Sequence, residues 1–127
     1  MSHIIKFFSF IFLFLSFLFS SLLKIYFINV EEADTSFVIT PNNYTMLIDG
    51  GDFDEFHDYG KDVYSFIKKQ LKIDKINVVL ISHPHRDHIG GLRYVLTNIK
   101  VEKFYDLGFP YPSFIYFNLL ELVNKKR

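Results

Sequence analysis

Three histidines and an aspartate lie within six residues of this sequence, and their side chains are suited to binding a metal ion. The run from His83 to His88 reads H-P-H-R-D-H and holds three of the five histidines of the chain. Neutral imidazole and carboxylate are the usual nitrogen and oxygen ligands of zinc and similar divalent ions. The apolar, β-branched segment 77–82 precedes the run and predicts a buried strand. The cluster therefore follows a strand end, a common position for chemistry in α/β proteins, and a chance surface cluster is the alternative.

The spacing of these residues indicates how they could divide between two metals. His83 and His85 are separated by one residue, so on an extended backbone their side chains project the same way and can bind one metal. Asp87 and His88 follow after a turn and can face a second metal. Two metals roughly 3.5–4 Å apart can hold a bridging hydroxide and bind the oxygens of a hydrolysed ester or amide. Asp87 is also a candidate catalytic residue, because a positioned carboxylate can orient the nucleophile or transfer a proton.

Length and composition exclude several classes of protein. The 127 residues suffice for one small domain with a core but not for two. There is no cysteine, which excludes disulfides, thiolate metal ligands and a lipid-modified N-terminal cysteine. The formal net charge is zero, which argues against nucleic-acid binding through the overall field of the protein.

The first 23 residues predict an export segment. Residues 7–23 are uncharged and follow a short, weakly positive stretch that ends at Lys6. The segment is apolar on every face, which argues against a buried core helix. We expect a signal peptide, or else an uncleaved signal anchor, at 1–23, and a domain at 24–127. Both alternatives predict an exported protein, secreted, periplasmic or membrane-anchored, with the domain outside the cytoplasm.

Strands and helices alternate along the rest of the chain and must position the metal cluster. Strands are expected at 24–30, 36–40, 44–48, 77–82 and 101–105, and helices at 63–71, 90–96 and 114–123. A turn at 41–43 makes the second and third strands a hairpin. Ser113 is expected to cap the last helix through its side chain. The pattern predicts an α/β (α+β) fold.

The motif also resembles a known family. The run from His83 to Gly91 resembles the H-x-H-x-D-H signature of metallo-β-lactamase-fold hydrolases at every position. Residues 28–43 and 47–51, Asp106 followed by Gly108, and the helix at 111–126 look like the start of the metallo-hydrolase domain attached to the DNA-uptake competence protein ComEC. The resemblance implies the N-terminal half of an αββα sandwich, two sheets packed face to face with helices outside, preceded here by a hydrophobic leader helix.

Roles for individual residues follow from this resemblance. It implies that His83 and His85 serve the first metal site, and that Asp87 and His88 serve the second. Asp49 would support the metal loop by hydrogen bonding rather than bind metal, and an ordinary turn aspartate is the alternative. The family implies zinc, with two ions per complete site, and manganese or iron are alternatives.

Two other polar residues, His57 and Arg86, are expected at the protein surface. His57 lies in the acidic stretch 52–58 and is expected to be a surface histidine. Arg86, inside the motif, is expected to face solvent, and contact with an anionic substrate is the alternative.

The sequence departs from the family pattern in two places. Residues 31–34 read E-E-A-D where the subgroup has a glycine-rich segment. The family also supplies a further histidine, a bridging aspartate and a final histidine from its second half, and no histidine follows His88. We therefore expect incomplete metal sites and a sheet with one apolar face exposed, which favours association or poor solubility. The residues expected on that face are Phe37, Ile48, Val79 and Ile81.

Three functions are consistent with these patterns. The first is an exported metal-dependent hydrolase that acts on phosphodiester or other ester bonds through a metal-activated hydroxide. A nuclease fits the subgroup, although the acidic stretch 52–58 would repel a phosphate backbone. The second is a catalytically silent, truncated or split half-domain that at most binds metal, and the third is a plain metal-binding exported protein. The expected partners are a small-molecule or nucleic-acid ester, a membrane bound through an uncleaved leader, and a complementing polypeptide or a second copy of the chain.

Overall fold

A five-stranded mixed sheet with helices on one face forms the domain in the computed structural model, which describes residues 22–31 and 33–126. The strands are β1 (Lys24–Phe27), β2 (Ser36–Ile39), β3 (Thr45–Ile48), β4 (Lys75–Leu80) and β5 (Lys100–Tyr105). The helices are α1 (Tyr59–Ser65), α2 (Arg86–Ile89), α3 (Leu92–Asn98) and α4 (Phe114–Lys125), and a π-helical turn, Phe66–Gln70, continues α1. The predicted α/β class is confirmed, and the architecture is consistent with half of a metallo-β-lactamase sandwich.

The strands lie in chain order across the sheet, and their pairing changes at β3. β1 with β2 and β2 with β3 are antiparallel, whereas β3 with β4 and β4 with β5 are parallel. The expected hairpin turn is present, and Asn43 adopts a φ of 58°, a left-handed conformation that asparagine tolerates. Each parallel pair needs a crossover, which α1 provides before β4 and which α2 and α3 provide before β5. The carboxyl ends of β3, β4 and β5 therefore meet at one edge of the sheet.

Several features differ from those expected, among them β4, which spans Lys75–Leu80 rather than 77–82, and α1, which begins at Tyr59 rather than at residue 63. β1 ends at Phe27 rather than at residue 30, and Val30 is buried in the core instead. A helix begins at Arg86, inside the metal motif, whereas the sequence predicted a loop there and a helix from residue 90. Ser113 occupies the position before α4, but its side chain makes no capping hydrogen bond, so that prediction is wrong. Its backbone N–H instead donates to the Tyr111 carbonyl at 2.8 Å, within the preceding loop.

One apolar core lies between the sheet and the helices. Residues from β2, β3 and β4 meet residues from all four helices there. The fully buried large side chains are Val30, Phe37, Leu47, Val63, Ile67, Ile76, Val79, Ile81, Ile89, Leu92 and Val95. The helices cover one face of the sheet. The burial of these apolar side chains holds α1 to α4 against that face.

Within residues 22–31 and 33–126, no helix covers the opposite face of the sheet, which is largely apolar, and most of its residues differ from those predicted. The strand register places two rows of residues there: Ile25, Val38, Met46, Val78 and Lys103, and Phe27, Ser36, Ile48, Leu80 and Tyr105. We call these ten residues the open face. Ile48 lies on it as predicted, whereas Phe37, Val79 and Ile81 are buried beneath the helices, so their assignment was wrong. Strand periodicity separates the two faces but does not indicate which one the helices cover.

Adjacent residues on β2 test this assignment of faces. Phe37→Ala is expected to lower the free energy of unfolding by about 3–5 kcal/mol, because Phe37 is fully buried. Val38→Ala is expected to cost about 1 kcal/mol or less, because Val38 is only partly covered. Urea unfolding followed by far-UV circular dichroism measures both. Equal losses for the two variants would contradict the assignment.

The predicted export segment lies almost entirely outside the described residues. Only Leu22 and Leu23 of that segment are described, and both are exposed immediately before β1. Between residues 22 and 126, leaving aside residue 32, no helix has the length and apolar character needed to cross a bilayer.

Candidate metal centre

The candidate site lies at the edge where the three parallel strands end. Asp49 directly follows β3, Ser82 lies two residues beyond β4, and Asp106 directly follows β5. The Asp49 N–H donates to the Leu80 carbonyl at 3.0 Å, which continues the parallel ladder and places Asp49 beside the end of β4. Neighbouring parallel strands thus bring residues from distant parts of the sequence together, the usual location of sites in open α/β sheets.

Asp49 is a buried residue that links the motif to the end of β3 through hydrogen bonds. Its side chain is 5% exposed, and its backbone φ is 60°, a conformation more accessible to aspartate than to most residues. The carboxylate accepts three hydrogen bonds, from Ser82 N at 2.8 Å, from Ser82 Oγ at 2.6 Å and from His88 Nδ1 at 2.9 Å. A buried carboxylate needs such partners to offset its desolvation. These bonds support the hydrogen-bonding role predicted for Asp49, while its effect on metal binding stays a prediction.

The three motif histidines lie against one another. The ring centroids of His83 and His88 are 3.8 Å apart, and those of His83 and His85 are 4.7 Å apart. His85 also lies 5.5 Å from the ring of Tyr111, which comes from the loop before α4. The structure therefore gathers all three imidazoles, with His83 between the other two. Their division between two metal ions stays a prediction.

Asp87 lies in the first turn of α2, beside this histidine cluster. Its Oδ2 is 3.4 Å from His88 Nε2, and its side chain is about half exposed. Within 22–31 and 33–126, no group of three or more His, Asp or Glu side chains is arranged so that it could hold an ion. The types of donor still fit zinc, since the Nδ1 atoms of His83 and His88 face Ser82 and Asp49 and leave Nε2 available.

Glycines bring the backbone of the motif close to its neighbours. Gly50 N–H donates to the His88 carbonyl at 2.7 Å, and Gly91 N–H donates to the Gly51 carbonyl at 2.9 Å. A Cβ on Gly91 would lie 2.2 Å from the Gly50 oxygen, and a Cβ on Gly60 would lie 2.1 Å from the Gly91 oxygen. The loop after β3, the start of α1 and the end of the motif therefore form one tightly packed support for the histidines.

Arg86 makes an ion pair on the protein surface. Its Nε lies 2.9 Å from Asp52 Oδ1, and its Nη2 donates to Asp52 Oδ2 at 3.0 Å. The side chain is more than half exposed, as expected, so the pair contributes little to stability. It does direct the guanidinium towards the loop after β3.

His57 is a surface histidine, as predicted. Its Nε2 bonds to Asp62 on α1, and that hydrogen bond raises the pKa of His57 above its usual value. The neighbouring Tyr59 donates to Glu31 Oε2 at 2.7 Å, which raises the pKa of Tyr59 to about 12. No hydrogen bond of the described residues links His57 to the motif histidines.

Sequence reasoning missed three residues beside the site. Ser82 bonds to Asp49 and His83, Asp52 binds Arg86, and Tyr111 packs near His85. Ser82 could have been found, since it immediately precedes the motif at the end of a predicted strand. Asp52 and Tyr111 had no comparable signal, because their contacts depend on how separate loops meet.

The comparison with known families agrees with this arrangement. Residues 31–110, almost two thirds of the chain, match the family described as Metallo-beta-lactamase superfamily. The matched segment contains β2 to β5, Asp49 and the whole histidine motif. No curated protein matches the sequence significantly. The family match, the half-sandwich fold and the motif at the end of β4 agree, and the chain belongs to the metallo-beta-lactamase superfamily.

Proposed function

We propose that this protein is a metal-dependent hydrolase that acts on phosphodiester or other ester bonds. The observation that carries the proposal is the clustering of His83, His85 and His88, with Asp87 beside them, at the carboxyl edge of the parallel strands. Membership of a superfamily that is generally hydrolytic and typically metal-binding supports it.

The residues of the motif would have different roles in the proposed site. His83 and His85 would hold one metal ion and Asp87 and His88 a second. Asp49 would orient His88 through the 2.9 Å bond to its Nδ1. Zinc held by these residues would supply hydroxide near neutral pH and polarise the ester. Asp87, which is half exposed, would orient an attacking water or transfer its proton. Zinc is the proposed metal, with manganese and iron as alternatives.

The proposal includes a substrate class and export of the protein. The resemblance to the ComEC-associated domain supports a phosphodiester in a nucleic acid as one substrate class. The hydrophobic run at 7–23 supports export. The acidic stretch 52–58 favours a small ester over a long phosphate backbone, because its charge repels phosphates.

The alternative is a catalytically silent half-domain that at most binds metal. It is favoured by one observation: among the described residues, no three His, Asp or Glu side chains are arranged to hold an ion. The open face supports association with a complementing polypeptide or a second copy, because apolar surfaces of this kind mark contact sites.

Metal binding and hydrolysis, measured together, test the proposal. For the full chain we expect zinc binding tighter than micromolar and zinc-dependent cleavage of a chromogenic phosphodiester. His85→Ala should abolish the cleavage, whereas His57→Ala, a matched loss of an exposed histidine outside the cluster, should not affect it. Micromolar or weaker zinc binding without cleavage would instead establish the silent half-domain.

A further inference from the structure

Ser82 connects the buried carboxylate of Asp49 to the first histidine of the motif. We infer that Ser82 is a positioning residue: its hydroxyl relays the hydrogen-bonding influence of Asp49 to His83 and fixes which ring nitrogen of His83 carries the proton. The inference rests on the proposed metal site, since its consequence is a His83 ring prepared for metal binding. It gives a role to a residue that is not itself a metal ligand.

The distances determine the direction of the first hydrogen bond. Ser82 Oγ lies 2.6 Å from Asp49 Oδ2. An ionised carboxylate only accepts hydrogen bonds, so the hydroxyl proton of Ser82 must point towards Asp49. The short distance fits a charge-assisted bond. Ser82 Oγ then has only its lone pairs to offer to any other neighbour.

The second bond follows from the first. His83 Nδ1 lies 3.0 Å from Ser82 Oγ, and because that oxygen can now only accept, Nδ1 must be the donor. A neutral imidazole carries one proton, so a proton on Nδ1 leaves the lone pair on Nε2. Zinc binds a nitrogen lone pair, and His83 is thus prepared to bind metal through Nε2.

Asp49 fixes the tautomer of His88 in the same way, but by direct contact. His88 Nδ1 lies 2.9 Å from Asp49 Oδ2, whereas its distance to Ser82 Oγ is a weaker 3.4 Å. One buried carboxylate therefore sets the tautomers of two histidines, His88 by direct contact and His83 through Ser82. Partners of this kind orient ligand histidines and raise their basicity.

Loss of the hydroxyl alone should leave the fold in place. The backbone N–H of Ser82 donates to Asp49 Oδ1 at 2.8 Å, and that bond does not need the side chain. The Ser82 side chain is exposed, so alanine leaves no buried cavity. Threonine retains the hydroxyl. Ser82→Ala removes the relay, and Ser82→Thr keeps it.

Nitrogen-15 NMR of the imidazole rings tests the relay in the metal-free full chain. The spectra are recorded at a pH well above the ordinary histidine pKa of about 6.5. We expect the Nδ1–H tautomer for both His83 and His88. In Ser82→Ala, His83 should become a mixture containing the Nε2–H tautomer while His88 is unchanged, and Ser82→Thr should restore the wild-type spectrum. An Nε2–H His83 in the wild-type protein would overturn the inference without any variant, and so would an unchanged His83 in Ser82→Ala.

Zinc affinity provides the second measurement. Ser82→Ala should bind zinc about 10–100-fold more weakly than the wild type, the usual effect of losing a partner of a ligand histidine, with recovery in Ser82→Thr. An affinity unchanged in Ser82→Ala would overturn the relay as a determinant of binding. If the tautomers and affinities behave as expected but no ester is cleaved, the inference about Ser82 stands and the proposed hydrolase is wrong.

Discussion

Gly91→Ala is expected to destabilise the domain by about 3 kcal/mol, the upper end of the usual cost of overpacking, because its methyl group would collide with backbone on two sides. The added Cβ would lie 2.2 Å from the Gly50 oxygen and 2.6 Å from the Gly60 nitrogen. Non-bonded atoms do not approach so closely, and neither neighbour is a side chain that could rotate away. The loop after β3, α1 and the motif would have to separate.

The separation would also break the contacts that position the histidines. Gly91 N–H donates to the Gly51 carbonyl, and Gly50 N–H donates to the His88 carbonyl. A domain of this size has only about 5–15 kcal/mol of total stability, so the expected loss is a large fraction of it. Urea unfolding followed by far-UV circular dichroism measures the loss.

Gly108→Ala is the matched control. Gly108 has a φ of +69°, and no atom lies within 4 Å of the added Cβ. Its cost is therefore the left-handed backbone conformation alone, about 1–2 kcal/mol. The interpretation of Gly91 fails if its alanine variant is no less stable than Gly108→Ala, since contact rather than backbone strain is the stated cause.

The sequence was sufficient for the parts of the fold that depend on local pattern. The hairpin follows from alternating apolar residues around the turn at 41–43, and β4 follows from the β-branched segment before the motif. The four motif residues could be named because their types and spacing are specific. All of these depend on residues close together in the chain.

The parts that could not be predicted depend on long-range contacts. Phe37 and Val38 differ in burial because the helices cover one particular face, and the two alternating patterns are equivalent before that choice is known. Likewise, the Arg86–Asp52 pair and the approach of Tyr111 to His85 join loops that sequence reasoning treated separately. The start of α2 at Arg86 was hidden because the motif has no apolar helical period of its own.

Asp49→Ala is expected to combine a large loss of stability with a loss of metal affinity. The variant removes the acceptor of three hydrogen bonds and places alanine at a φ of 60°. Bonds to a charged group are worth about 1.5–3 kcal/mol each and are not additive, so a total loss on the order of 4 kcal/mol is expected. Zinc affinity should also fall by at least about 10–100-fold, since His88 loses its direct partner.

Asp49→Asn separates these two effects. Asparagine tolerates the left-handed backbone, and its amide oxygen can still accept from Ser82 N, so most of the stability should return. Its amide nitrogen, however, then faces His88 Nδ1, where two donors would oppose each other. His88 can relieve the conflict by moving its proton to Nε2, which removes the lone pair that zinc needs.

The stability and zinc affinity of Asp49→Asn should therefore change to different extents. We expect unfolding close to that of the wild type but zinc binding about as weak as in Asp49→Ala. Asp74→Asn, which changes a largely exposed carboxylate paired with Lys68, should alter neither quantity. Wild-type zinc affinity in a folded Asp49→Asn protein would show that the charge of Asp49 does not prepare His88. The buried carboxylate would then be only a structural support for the strand ends.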